Sequence, residues 1–84
     1  MFLTIFLQAA MGASLAKAGA AFAACLAVFA AAWGIGRIGS TALESIARQP
    51  EAAGDIRSGM VLAAALIEGV AMFAIVVCFL VLFV

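Results

Sequence analysis

One carboxyl side chain stands where a carboxyl is hardest to keep. Glu68 lies 18 residues after Pro50 and 16 before Val84, flanked by Ala64-Ala65-Leu66-Ile67 and by Gly69-Val70-Ala71-Met72-Phe73. If this stretch is helical, its neighbours one turn away are Ala64, Ala65, Ala71 and Met72. None of them can pair a charge, and residues 18–36 hold no basic side chain. An ionised carboxylate at the centre of a spanning helix costs about 3 kcal/mol even on the lenient insertion scale. The neutral acid is the form that lipid tolerates, and its single O–H needs only one acceptor, such as a backbone carbonyl. A group held neutral in lipid and ionised where it meets water is a reversible proton carrier. The bland alternative is a protonated Glu serving only to hold helices together. Gln would do that without a group that titrates, and intramembrane acids are functional by default.

The rest of the chain excludes most other chemistry. It has 84 residues, 70% of them hydrophobic, with four acidic and four basic side chains and neither His nor Tyr. A basic nucleic-acid binder is excluded by the charge balance. A His-based metal site or catalytic triad lacks its His, and disorder is excluded by the hydrophobicity. A soluble domain this small could not hide so much apolar surface. A small integral membrane protein remains, with no catalytic residues and no metal ligands of its own.

A spanning helix needs about 20 apolar residues. Residues 18–36 form one charge-free window between Lys17 and Arg37, and residues 58–84 form another, interrupted only by Glu68. Six of the eight charges (Arg37, Glu44, Arg48, Glu51, Asp55, Arg57) and the single proline lie in residues 37–57. The expected fold is all-α: a two-helix transmembrane hairpin forming one domain over residues 1–84. Helix 1 covers 1–46, a polar loop 47–51, and helix 2 covers 52–84. Gln49 precedes Pro50 and is pushed out of the helical region, whereas Pro50 suits the first turn of helix 2. Both helices continue past the hydrocarbon core on the loop side.

Three of the four basic residues (Arg37, Arg48, Arg57) flank the loop. The loop is therefore expected in the cytoplasm, with both termini on the other side. Lys17 dissents and reads as an interfacial residue that snorkels. The opening stretch, residues 1–16, is apolar and ends in small residues like a secretory signal, yet lacks the positively charged start of one. It is read as an extension of helix 1. Cys25 and Cys78 read as small buried hydrophobes rather than a disulfide.

The two helices differ in bulk. Ala and Gly make up twelve of the nineteen residues 18–36, but only three of the sixteen residues 69–84. Small side chains let membrane helices approach closely. The Ala and Gly positions of helix 1 point in every direction, so it needs protein on several sides. Helix propensity alone explains Ala but not Gly. A homo-oligomeric ring with helix 1 inside and helix 2 facing lipid satisfies both compositions.

The loop Ile46-Ala47-Arg48-Gln49-Pro50-Glu51-Ala52-Ala53-Gly54-Asp55-Ile56, the mid-helix Glu68 and the small-residue first helix together resemble the c-subunit (proteolipid) family of F-type ATP synthases. The resemblance covers about residues 12–84. It implies a ring of identical hairpins among membrane lipids, with Glu68 as the proton-binding residue. It implies that Arg48, Gln49, Pro50 and Glu51 face the cytoplasm and contact the central-stalk subunits gamma and epsilon. Subunit a would supply half-channels and an essential Arg, and the ring's rotation would drive ATP synthesis elsewhere in the complex. A bacterial inner membrane is the implied location. The expected surroundings of Glu68 are Ile35, Ala65, Leu66, Gly69 and Phe73.

Sodium-binding members of that family carry extra oxygen ligands on helix 1, just after the acid and one turn later. The matching positions here are Ile35, Gly69 and Phe73, none with a side-chain oxygen. Sodium is a hard cation that needs several oxygens, so H+ is the expected coupling ion, with no cofactor. The family's alternating glycines on helix 1 fall here on Val28, Ala30, Ala32 and Gly34, a bulkier set that favours a wider ring. Trp33 reads as filling space in the ring. The competing readings are a V-type ATPase proteolipid, a small exporter and a holin-like pore. An exporter would need more spans and more aromatics near the acid than Phe73. A pore would not need Glu68.

Overall fold

The computed structural model describes residues 1–84 as two antiparallel helices with almost nothing between them. Helix α1 runs Phe2–Arg48, a single 3-10 turn covers Pro50–Ala52, and α2 runs Ala53–Val81. At about 1.5 Å per residue the 47 residues of α1 make a rod of roughly 70 Å, and the molecule measures 73 × 15 × 9 Å. Both helices are long and apolar enough to cross a membrane.

The reversal is tighter than the expected loop of 47–51. Gln49 alone leaves helical geometry, at φ −132° and ψ 71°, because Pro50 excludes the α region for the residue before it and for no other. Ala47 and Arg48 stay in α1, and the Gln49 N–H still donates to the Ser45 carbonyl at 2.9 Å. Pro50 then opens the 3-10 turn, where its missing N–H leaves no bond unmade. The Ala52 N–H donates to the Gln49 carbonyl at 3.0 Å and closes that turn. Arg48 in the last turn of α1 and Asp55 in the first turn of α2 each sit at the helix end whose dipole they complement.

The contact between the helices follows alternating steps of four and three residues. On α1 the covered positions include Ala20, Ala24, Ala27, Ala31, Gly34, Ile38, Ala42 and Ser45; on α2 they include Ile56, Met60, Ala63, Ile67, Ala71, Ala74 and Cys78. This spacing keeps one stripe of each helix facing the other. Three meeting points fix the register. Ala20, Ala21 and Ala24 share a groove with Cys78, Phe79 and Leu82 at one end. Gly34 meets Ile67 in the middle. Thr41, Ala42 and Ser45 face Ile56, Gly59 and Met60 near the turn.

Only Ala20 and Ala42 are fully covered, at 7% and 8% exposure. A hairpin with two buried residues has no core of its own, so its stability must come from lipid and from further protein surfaces. The small α1 residues off the α2 stripe (Ala18, Gly19, Ala23, Ala30, Ala32, Gly36) are exposed, as helix 1 in a ring requires before its neighbours arrive.

The register also places two outlying residues. Trp33 adjoins Gly34 and Glu68 adjoins Ile67, so both stand at the same height, and Trp33 belongs to the middle of the hairpin rather than to its loop end. Lys17 precedes Ala20 by one turn and is level with the end of α2.

Candidate functional site

Glu68 follows Ile67, which packs on α1, by one residue. A helix turns about 100° per residue, so the carboxyl projects sideways from the pair of helices. It stands on a ridge between two shallow grooves that run along this flank. The groove toward the turn, of about 410 Å³, is lined by Ile35 and Gly39 of α1 and by Met60, Val61, Ala64, Ala65 and Glu68 of α2. The groove toward the other end, of about 200 Å³, is lined by Val28, Ala31, Ala32 and Ile35 with Glu68, Ala71, Met72 and Ile75. Glu68 and Ile35 are the residues common to both. Apart from the Glu68 carboxyl, no side chain in either groove carries an oxygen or nitrogen.

The opposite flank presents a larger groove of about 600 Å³, lined only by apolar residues: Ala27, Ala30, Ala31, Leu66, Ile67, Val70, Ala71 and Ala74. It spans the same height as Glu68. A hairpin therefore has one flank with a carboxyl ridge and another with an apolar groove, which is the arrangement a head-to-tail ring of copies uses.

The residues expected around Glu68 separate into three groups. Ile35 and Ala65 line a groove with it. Leu66 lies on the opposite flank, in the large apolar groove. Gly69 and Phe73 lie on the outward surface, with no neighbour near Gly69 and Phe73 77% exposed. Ala64, Ala71 and Met72, one helical turn from Glu68, do join it. Gly39, Met60, Val61, Val28 and Ala32 were not expected at the site. The α2 members were within reach of helical spacing, whereas those on α1 depend on the register between the helices.

The tip of the hairpin is polar and exposed. Arg48, Gln49, Pro50 and Glu51 all lie open, and Arg48 Nη2 sits 3.8 Å from Glu44 Oε2 one turn back. Cys25 is exposed and Cys78 half-buried, and both are free thiols. Cys78 faces α1, but Cys25 turns away from α2.

A family model for the ATP synthase C-subunit matches residues 18–81. The ATP synthase c-subunit of Phocaeicola vulgatus is 59% identical over 83 residues, 99% of each chain. That of Bacteroides thetaiotaomicron is 60% identical over 84 residues, again 99% of each. That of Latilactobacillus sakei is 52% identical over 64 residues, 76% of this chain and 91% of its own. The exporter and pore readings fall away beside relatives this similar. A lone carboxyl at mid-height, a polar one-residue reversal and an otherwise apolar hairpin agree with the match: the chain belongs to the ATP synthase C-subunit family, whose two-helix hairpins form a ring.

Proposed function

We propose that Glu68 carries the coupling ion of this ATP synthase, and that the ion is a proton. The coarse role follows from membership. The chain is a membrane protein and a subunit of an F-type ATP synthase, whose catalysis resides in other subunits. The observation that carries the finer reading is the isolation of the Glu68 carboxyl. It is the one polar side chain in the two grooves beside it, at the middle height of two apolar helices. A proton asks for one carboxyl oxygen and one acceptor, whereas a sodium ion asks for a shell of oxygens that these grooves do not offer.

In this reading the neutral acid rides through lipid, and the carboxylate exists only where subunit a admits water and a compensating cation. One elementary charge crossing the membrane is worth about 2.3 kcal/mol per 100 mV. A single transfer is far too small to make ATP, so many copies of Glu68 act in turn around the ring. The loop lies in the cytoplasm of a bacterial inner membrane, where Arg48, Gln49, Pro50 and Glu51 dock on gamma and epsilon. The three arginines near the turn support that orientation.

Glu68→Gln in the whole ATP synthase tests the assignment. The neutral amide keeps shape and hydrogen bonding but cannot release a proton. ATP-driven proton pumping is expected to vanish, while the ring still assembles in the membrane. Retained pumping would overturn the proposal.

A further inference from the structure

The first turns of α1 have no partner in the hairpin. Leu82 of α2 shares a groove with Ala20 and Ala21, so residues 1–16 lie beyond the end of α2. Phe2–Ala16 are helical, and all sixteen residues are exposed. At about 1.5 Å per residue this single helix stands out by roughly 24 Å. The span from Arg57 to Val81 alone measures about 36 Å, which already exceeds a hydrocarbon core of about 30 Å. A straight α1 therefore carries residues 1–16 out into water.

That segment is unfit for water. Phe2, Ile5, Phe6, Leu7, Met11 and Leu15 are each more than half exposed. They point around the whole helix, so one neighbouring surface could not cover them. No charged side chain precedes Lys17. The family model begins at residue 18, while the c-subunits of Phocaeicola vulgatus and Bacteroides thetaiotaomicron align with this stretch as well.

The local sequence offers a way out. An apolar run from Phe2 to Met11, broken only by Thr4 and Gln8, is followed by Gly12, Ala13, Ser14, Leu15 and Ala16. Ser14 and Ala16 are small residues at the first and third places of a small-x-small triplet that ends directly before Lys17. This is the order of apolar region and cleavage site in a secretory leader. Gly12 weakens the helix just ahead of the triplet, which helps it to open into the extended form that a peptidase binds. No basic side chain stands ahead of the apolar run.

We propose that residues 1–16 are a leader, removed by hydrolysis of the Ala16–Lys17 peptide bond. The agent is a membrane-bound signal peptidase working on the face opposite the loop. Water adds across the amide: Ala16 leaves with a new carboxylate, and Lys17 becomes the ammonium terminus of the mature chain. The new end is level with the end of α2. Its two positive charges, one on the backbone and one on the side chain, then lie at the interface. The apolar overhang is gone, and both arms of the hairpin have matching length. The cleavage does not depend on which ion Glu68 carries.

The test is N-terminal sequencing and intact mass of the subunit from rings purified after expression of the full chain in a bacterial host. The expected sequence begins Lys17-Ala18-Gly19, and the mass falls short of the 8.5 kDa full chain by residues 1–16. In Ala16→Leu the small side chain at the cut is lost, and the full-length chain accumulates. A wild-type ring whose subunits begin at Met1 overturns the proposal. So does a terminus at any residue other than Lys17, or unchanged processing of Ala16→Leu. The wild-type measurement decides even if the variant is not produced.

Discussion

Gly34 of α1 lies directly against Ile67 of α2: a β-carbon on the glycine would stand 3.1 Å from Ile67 Cδ1. Ile67 is the residue before Glu68, so this contact sets how far the carboxyl stands from helix 1. The encroaching atom is the end of a flexible side chain and can yield by a few tenths of an ångström. Gly34→Ala also gains about 1 kcal/mol of helix propensity. The expectation is an intact ring that pumps within about twofold of wild type. Gly34→Leu overfills the same contact, at a cost of about 1–3 kcal/mol, and tilts α2 and Glu68 outward. Its ATP-driven pumping should fall about tenfold or more. Equal activity of the two variants would show that the contact does not position Glu68.

Carbodiimide labelling reads the ion directly. The reagent modifies a protonated carboxyl, and Glu68 is the only acid between the two ends of the hairpin. Labelling of the assembled ring is expected at Glu68 alone. Added sodium at constant pH should leave its rate unchanged, because the flanking grooves offer no further side-chain oxygens. Clear protection by sodium would contradict proton coupling.

At the hairpin tip, one pair of variants separates structure from docking. The Arg48–Glu44 ion pair spans 3.8 Å with side chains 76% and 64% exposed, and such surface pairs are worth about 0.5 kcal/mol or less. Glu44→Gln should therefore leave both ring stability and coupling unchanged. Arg48→Ala breaks the same pair but also removes a cation from the surface proposed to meet the central stalk. Here ATP hydrolysis should continue while proton pumping drops. Identical behaviour of the two variants, measured by thermal dissociation and by pumping, would place the docking surface elsewhere.

The two cysteines give a simpler check of the register. Cys78 faces α1 at the height of Ala24, while Cys25 turns away. Mild oxidation should form no intrachain disulfide, and mass analysis after denaturing alkylation without reductant should count two adducts per chain. A bridged chain would require α1 to be rotated from its observed position.

Much of this molecule can be read from the residues themselves. Two apolar windows, six clustered charges and one proline locate the helices and the turn, because lipid and backbone geometry leave few alternatives. The turn proved shorter than expected since proline restricts only its immediate predecessor, and Arg48 keeps its helical bond pattern. Glu68 stands out because nothing near it in the sequence can pair with it. Its surroundings were harder to foresee. Leu66, Gly69 and Phe73 are close in sequence, but about 100° of rotation per residue carries them to other sides of α2. Gly39, Val28 and Ala32 join the site through the register of α1 against α2. That register is chosen by the fit of small residues against Ile67 and Met60, which no periodicity encodes.

The reversal at Gln49 has a mechanical side. With one residue outside regular geometry and a hydrogen-bonded turn on either side of it, the tip has almost no hinge. A sideways push on Pro50 is passed down two stiff rods to the height of Glu68, with little bending to absorb it. The hairpin thus behaves as a gear tooth without backlash.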